Sequence, residues 1–303
     1  MNPPKHSFNA DPTRLPGKTS ALAELWSSLM GTFILGILCC GIYPIAVWMI
    51  AQGVFPNQAN GSLLKRDGSS TRDDTQAVGS ALIGQNFPAP AYFHSRPSAA
   101  GNGYDPTASG GSNYGPLSDK LINGAVQNPA PATQPTTAPS ETLAYDGLRL
   151  RTLHYAMDNG LTFKLFKVEP DGTRFETPLK QFLDASGNLN DTALVDAFPH
   201  PSTDAPDRTI LVATDFRNAE GSPMFIPADA VTASASGLDP HISPANASIQ
   251  AVRIASQRKV SIAQVNTLID QNTDRPVLGL LGDSGVNVLR LNLALDRQYP
   301  VVR

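Results

Sequence analysis

The chain has 303 residues, 41% of them hydrophobic, and a mean hydropathy of −0.16, which excludes a polytopic membrane protein and leaves room for one or two folded domains. A net charge of only −3 provides no global basic field to recruit nucleic acid or anionic lipid. The two cysteines, Cys39 and Cys40, are adjacent inside an apolar run, so the fold rests on no long-range disulfide and no thiolate-bound metal.

Residues 1–24 form a polar tail carrying Lys5, Arg14 and Lys18. From Leu25 to Leu64 there is no Asp, Glu, Lys or Arg, and the apolar core of this stretch covers 26–51. As a helix that core is about 39 Å long, more than the roughly 30 Å of bilayer hydrocarbon. Residues 25–55 therefore predict one transmembrane helix with Trp26, Tyr43 and Trp48 toward its ends and a kink at Pro44. No A-x-A-like site follows the run, and Leu38 rather than a small residue precedes Cys39. An uncleaved signal anchor is thus favoured over a cleaved signal peptide or a lipoprotein. The basic residues before the span favour a cytoplasmic N-terminus and a periplasmic C-terminal domain. Gly31, Gly36 and Gly41 recur at intervals of five and, with Pro44, suggest a face for close helix packing; the common occurrence of glycine in membrane helices explains them equally simply.

Beyond the membrane the composition changes three times. Residues 56–118 are rich in Gly, Ser, Asn and Pro, and predict an ordered loop with short strands held by Phe87, Tyr92, Phe93, Tyr104 and Tyr114. Residues 119–140 form a linker whose part 128–140, NPAPATQPTTAPS, contains four prolines and no charge. Residues 141–223 predict a small α+β insert: LTFKLFKVE and RFET form a hairpin about Pro170–Thr173, PLKQFLDA and DTALVDAF form short helices, and TILVATDF forms a buried strand. In residues 224–303, Ser243 and Pro244 open a helix with Ile249, Val252 and Ala255 on one side. Ser261 and Gln264 cap a second helix bearing Val265, Leu268 and Ile269. VLGLL and VNVLRLNLAL predict a closing hairpin, because Leu289, Leu291, Leu293 and Leu295 alternate with polar or small residues. The fold class expected is α+β, one membrane helix followed by a loop-rich mixed domain.

Motifs for chemistry are sparse. G-x-S-x-G, H-E-x-x-H, Walker A and EF-hand patterns are absent, as is the phosphorylated D-K-T-G-T of P-type pumps. His94 and Arg96 suggest an anion or acid–base site, or a polar pair locking a loop against Tyr92 and Phe93. His241, beside Asp239, suits a bond to turn backbone, and no further metal ligands accompany it. The SGGSN run with Gly110, Gly111 and Asn113 suggests an anion nest or a tight turn. Gln85, between Gly84 and Asn86, is a neutral amide suited to a ribose or a partner's backbone. An anchored periplasmic enzyme using His94, Arg96 and His241, or a binding module within the insert, are the rival functional readings.

Six blocks then carry a resemblance: FPNQANGSLL (55–64), GSALIGQNF (79–87), YFHSRPSA (92–99), YDPTASGGSN (104–113), VTASASGLDPHISPA (231–245) and VNVLRLNLALD (286–296). Behind one membrane span and in this order, they resemble the C subunit of the bacterial Kdp potassium-pumping P-type ATPase. The resemblance covers about 55–118 and 224–296 and omits 119–223. It implies a non-catalytic accessory subunit of the inner membrane, single-pass, that assembles or stabilises the complex. Its implied partners are a channel-like potassium-binding subunit, the P-type ATPase subunit and a small single-span subunit, with ATP and K+ handled by the complex and no cofactor of its own. It further implies a catalytic chaperone that raises ATP affinity, with Gln85 touching nucleotide. The expected topology conflicts with that last role, since it places Gln85 across the membrane from ATP. The remaining motif residues, Gly84, Asn86, His94, Arg96, Gly110, Gly111, Asn113, Asp239 and His241, are then expected to frame the loops and an interface.

Overall fold

A computed structural model describes residues 20–111, 113–118, 121–122, 147–190, 193–194, 210–276 and 278–301. The Pro-rich linker and most of DTALVDAF lie outside the described residues. The chain divides into two compact units, Met1–Asn60 and Gly61–Arg303.

The first unit is a continuous helix, α1 (Ala21–Val54), followed by the short α2 (Pro56–Ala59). Ser20 caps α1, its side chain accepting from the Ala23 amide. The helix is about 51 Å long, it is the one helix among the described residues long and apolar enough to cross a membrane, and none of its residues is buried. Pro44 lacks an amide hydrogen and its ring crowds the carbonyl four residues back. The backbone answers with a π-helical stretch, Ile37–Ile42, after which the Tyr43 amide donates to the Leu38 carbonyl. Asn60 closes the unit by donating to the Gln52 side chain at 3.0 Å.

The second unit holds three small antiparallel sheets of three strands each. Strands β1 (Leu63–Leu64), β2 (Ser70–Thr71) and β3 (Gly79–Ser80) have two residues each, as the Gly/Ser/Asn-rich composition leads one to expect. Phe93 is fully buried in the main core, whereas Tyr114 is exposed and does not hold the loop from within. Helix α3 (Leu148–Asp158) precedes β4 (Thr162–Val168), β5 (Arg174–Glu176) and β6 (Ile210–Arg217). The expected hairpin is β4–β5, with Gly172 at φ 86° in its turn. PLKQFLDA gives only a 3₁₀ turn, Leu179–Phe182. TILVATDF is not a buried strand: among the described residues of β6 Leu211 alone is buried, and β6 pairs with β4 and bridges at Arg217 to Pro223.

After the short α4 (Ala228–Val231) and β7 (His241–Ile242) come the two expected capped helices, α5 (Pro244–Arg258) and α6 (Ile262–Gln271). Ser243 caps α5, and Ser261 with Gln264 forms the reciprocal capping box of α6. Val252, expected on the apolar side, is 42% exposed; the buried stripe of α5 runs instead through Ala247, Ala251, Ile254 and Ala255.

The closing hairpin is corrected. Strands β8 (Thr273–Asp274) and β9 (Gly285–Asn287) pair, but residues 288–298 form a helix, α7 (Val288–Gln298). The alternating leucines are two helical pairs four residues apart. Leu291 and Leu295 enter the main core with Val265 and Leu268, while Leu289 and Leu293 enter a second cluster with Leu64 and Ala81. A helix packed on two sides reproduces the period of a strand, and the helix-favouring Leu, Ala and Arg decide between them. Asn287 caps α7 by accepting from the Arg290 amide at 3.1 Å.

Asn292 of α7 is buried and exchanges two hydrogen bonds with the Phe93 backbone, at 2.9 and 3.0 Å. Asn292→Leu keeps the branched shape and the number of side-chain heavy atoms but leaves both Phe93 groups without partners. The variant should lose about 2–4 kcal/mol of unfolding free energy in urea titration of the full chain, against a small change for a surface substitution.

Candidate functional site

The loop frame is built from helices inward. Residues 90–94 make no strand pairing, yet five successive residues are held by side chains. Arg253 of α5 donates to the carbonyls of Pro90 and Tyr92, and Arg258 donates to that of Ala91 at 2.8 Å. Asn292 takes both backbone groups of Phe93, and Gln250 takes both of His94, at 2.8 and 3.1 Å. Arg258 also pairs with Asp296 at 2.9 Å and lies over the Tyr92 ring, 4.8 Å from its centre. None of Gln250, Arg253, Arg258 and Asn292 stood out in the sequence. Their signal was polar residues at helical spacing beside an apolar stripe, which reads as an ordinary wet face.

A second tier joins three loops. Arg96 forms an ion pair with Asp239 at 2.9 Å and donates to the carbonyls of Thr232 and Ala233. Tyr104 donates to the Arg96 carbonyl, and its hydroxyl is pushed up to about 12 by burial. Ser98 donates to the Gly237 carbonyl at 2.6 Å. Glycine is required where backbones touch. A Cβ on Gly84 would lie 2.6 Å from the Asp239 carbonyl oxygen, and one on Gly111 would lie 2.7 Å from that of Ala235. Gly110 donates to the Ser236 carbonyl at 3.1 Å, while Asn113 is exposed with φ 55°.

The remaining expected site residues fall in different places. Gln85 is half-buried; its side chain donates to the Val78 carbonyl at 3.3 Å and its own carbonyl accepts from Ser95. A cavity of about 610 Å³ lies beside the frame and is lined by Asn86, His94, Arg96, Tyr104, Arg151 and Asp158, among others. His241 is not among its lining residues; it reaches Arg96 only through their shared partner Asp239. The structure therefore does not gather His94, Arg96 and His241 into one pocket. Burial, with Arg253 nearby, holds His94 below the usual histidine range, so it is neutral at pH 7. His241 is raised, first by its bond to Asp239 and then by Asp274, whose carboxylate lies 3.0 Å from Nε2. Among the described residues no group of three His, Cys, Asp or Glu is placed to hold a metal ion. His6 and His200 lie outside the described residues. Among the described residues, a Cβ added at Gly31, Gly36 or Gly41 of α1 would meet nothing within 4 Å.

The segment after the linker is fixed to this frame through α5. Tyr155 of α3 donates to the Asn246 side chain at 2.8 Å, and Asn159 accepts from Arg253 at 3.2 Å. Ala156 and Leu161 share an apolar cluster with Ile249.

Comparison with known proteins decides the family. The family described as K+-transporting ATPase, c chain, matches residues 25–146 and 204–297. This chain belongs to the KdpC family. The potassium-transporting ATPase KdpC subunit of Caulobacter vibrioides is 38% identical over 279 residues, covering 92% of this chain and 95% of that protein. The KdpC subunit of Mycobacterium tuberculosis is 36% identical over 276 residues, covering 91% and 97%. Every block of the KdpC resemblance falls inside the matched residues, and so do Gln250, Arg253, Arg258 and Asn292. The unmatched residues 147–203 include α3, β4 and β5.

The KdpC frame carries a pH signature. Because His241 is raised above its unfolded value, its charged form adds stability that is complete below about pH 6.5 and is lost as pH rises through the folded value. Both partners are partly exposed, so His241→Asn should lower the melting temperature by only about 1–3 °C at pH 5.5. At pH 9 the difference from the unmodified chain should vanish in paired thermal scans.

Proposed function

We propose that this chain is the non-catalytic accessory subunit of a high-affinity, ATP-driven potassium uptake complex in the bacterial inner membrane. A match running through both the apolar helix and much of the folded domain supports this reading, because it is not confined to an isolated motif. The named relatives are subunits of potassium-transporting ATPases, and a subunit works through contacts with its neighbours. The neighbours proposed are a channel-like potassium-binding subunit, the P-type ATPase subunit and a small single-span subunit. The helix crosses once with its N-terminus in the cytoplasm, and the domain lies in the periplasm over the channel-like subunit. ATP and K+ are handled by the complex, and this chain holds no cofactor of its own.

The internal use of the motif residues favours assembly over chemistry. Arg96 and Asp239 pair with each other, Asn292 bonds the Phe93 backbone, and Gln250 bonds the His94 backbone together with the side chains of Asn246 and Arg253. Gln85 likewise bonds within its own loop, which favours a framing role over nucleotide contact and agrees with a domain on the far side of the membrane from ATP. Residues 141–223 are read as an insert into the family domain; the family match lapses over 147–203, and α3, β4 and β6 share a core of their own around Leu153, Leu165 and Leu211.

Deleting 25–55 should abolish ATP-driven potassium uptake at limiting potassium and remove the chain from the purified complex; normal uptake by the deletion strain would sink the assignment. Topology is tested separately. A cysteine placed at exposed Ser70 should react in intact spheroplasts with a membrane-impermeant maleimide, whereas labelling only after lysis would reverse the orientation.

A further inference from the structure

Helix α3 turns a polar face inward. Arg151, His154, Tyr155 and Asp158 follow one another at helical spacing, which places them on one side of the helix. Polar helix faces ordinarily meet bulk water. This one instead lines the cavity of about 610 Å³ beside the loop frame, together with Asn86, His94 and Asn102. That volume falls in the roughly 300–1,000 Å³ range of small-molecule sites. The rest of α3 is used for packing, with Leu153 and Ala156 buried in two separate clusters. The helix also lies outside the residues that the family matches, so this wall of the cavity is not part of the shared domain.

The walls are set in advance. Gln250 takes both backbone groups of His94, at 2.8 and 3.1 Å, which fixes the place of the ring. Ser98 accepts from the Tyr104 amide at 2.8 Å and Gly103 donates to the Ala100 carbonyl at 2.9 Å, which pins the turn carrying Asn102. On the α3 side, Tyr155 is bound to the Asn246 side chain. Walls held in this way leave little ordering to be done when a ligand enters.

The lining offers bonds that the chain does not use. The side chains of Asn86, Asn102 and Asp158 have no hydrogen-bond or ion-pair partner among the described residues. His94 Nε2 lies 3.4 Å from the Ala89 carbonyl, which can only accept, so the neutral ring carries its proton there and leaves Nδ1 as a bare acceptor. The cavity thus presents two amides, which both donate and accept, and two pure acceptors. A hydroxyl group, donor and acceptor at once, matches that set. The hydroxyls of Tyr104 and Tyr155 bond within the chain, so these residues and Phe87 contribute ring surface to the lining. Such surface suits the C–H faces of a sugar ring. Charge selects further. Arg96 is paired with Asp239, and Arg151 shares its helix face with Asp158. An anion would meet the Asp158 carboxylate and a cation would meet two guanidiniums, whereas a neutral ligand meets neither penalty.

We propose that this cavity binds a small neutral polyhydroxyl compound, a mono- or disaccharide, whose hydroxyls donate to His94 Nδ1 and the Asp158 carboxylate and exchange bonds with Asn86 and Asn102. The inference is independent of the accessory-subunit reading, and its test uses the purified full chain alone, in a detergent whose head group is not a sugar. Saturation-transfer NMR and calorimetry with glucose, N-acetylglucosamine, sucrose and trehalose should show saturable binding of at least one, with a Kd below about 10 mM. Asn102→Ala combined with Asp158→Ala should weaken that binding by at least about tenfold, and Asn86→Ala alone by at least about threefold. All three side chains are exposed, so thermal scans of the variants should match the unmodified chain. If the double variant melts early, Asn86→Ala decides the outcome. Absence of saturable binding to all four sugars overturns the proposal, as does unchanged affinity in the folded variants. Tighter binding of citrate or spermidine than of any of the sugars overturns it as well, because the cavity would then select charge.

Discussion

The domain depends on how a stretch of backbone without a strand partner is satisfied. Buried amides and carbonyls cost about 1–3 kcal/mol each when left unpaired. Residues 90–94 avoid that cost by borrowing side chains: Gln250 and Asn292 imitate the edge of a sheet, and Arg253 and Arg258 supply the carbonyl partners. Phe93 can then enter the core between α5 and α7. From this seat the chain continues to Arg96, which ties the loops containing Thr232 and Asp239, and to Ser98, which ties that of Gly237. These four side chains fix residues 90–94, from which the second tier of loop contacts continues.

The same economy explains why so many chemistry-bearing residue types yield no gathered active site. Arginine, histidine and aspartate recur in the frame because they bridge backbone segments at low secondary-structure content. Asp239 pairs with both Arg96 and His241, His94 is lowered by burial, and His241 is raised first by Asp239 and then by Asp274. A loop-rich domain that needs a defined surface must fix its loops by side-chain bonds, and in this chain Phe93, Arg96, Asp239 and Asn292 make such bonds from within the blocks that resemble the KdpC family.

How much of this was legible depended on whether the physics was local. The long apolar helix α1, the caps at Ser243 and Ser261 and the turn at Gly172 are set by neighbouring residues, and the sequence displays them. Helix α3 was missed although Leu150, Leu153 and Tyr155–Ala156 give a helical stripe and Asn159–Gly160 gives a stop, with Gly160 at φ 67°. Residues 288–298 were misread because burial on two helix faces produces leucines at every second position, a pattern that short windows assign to a strand. The amide and guanidinium partners of residues 90–94 were invisible for a different reason: their significance lies in what they touch, and that is set by tertiary structure.

The distance along the chain between those partners has a consequence for biosynthesis. Phe93 and Asn292 are 199 residues apart, and His94 and Gln250 are 156 apart. At ribosomal speeds of about 5–20 residues per second, the loop emerges roughly 10–40 s before the side chain that completes its seat. During that interval the loop lacks its native partners. Folding of this domain is therefore a C-terminal event, governed by long-range closure. A nascent chain lacking α7 carries its anchor and all the early blocks but not the means to lock them.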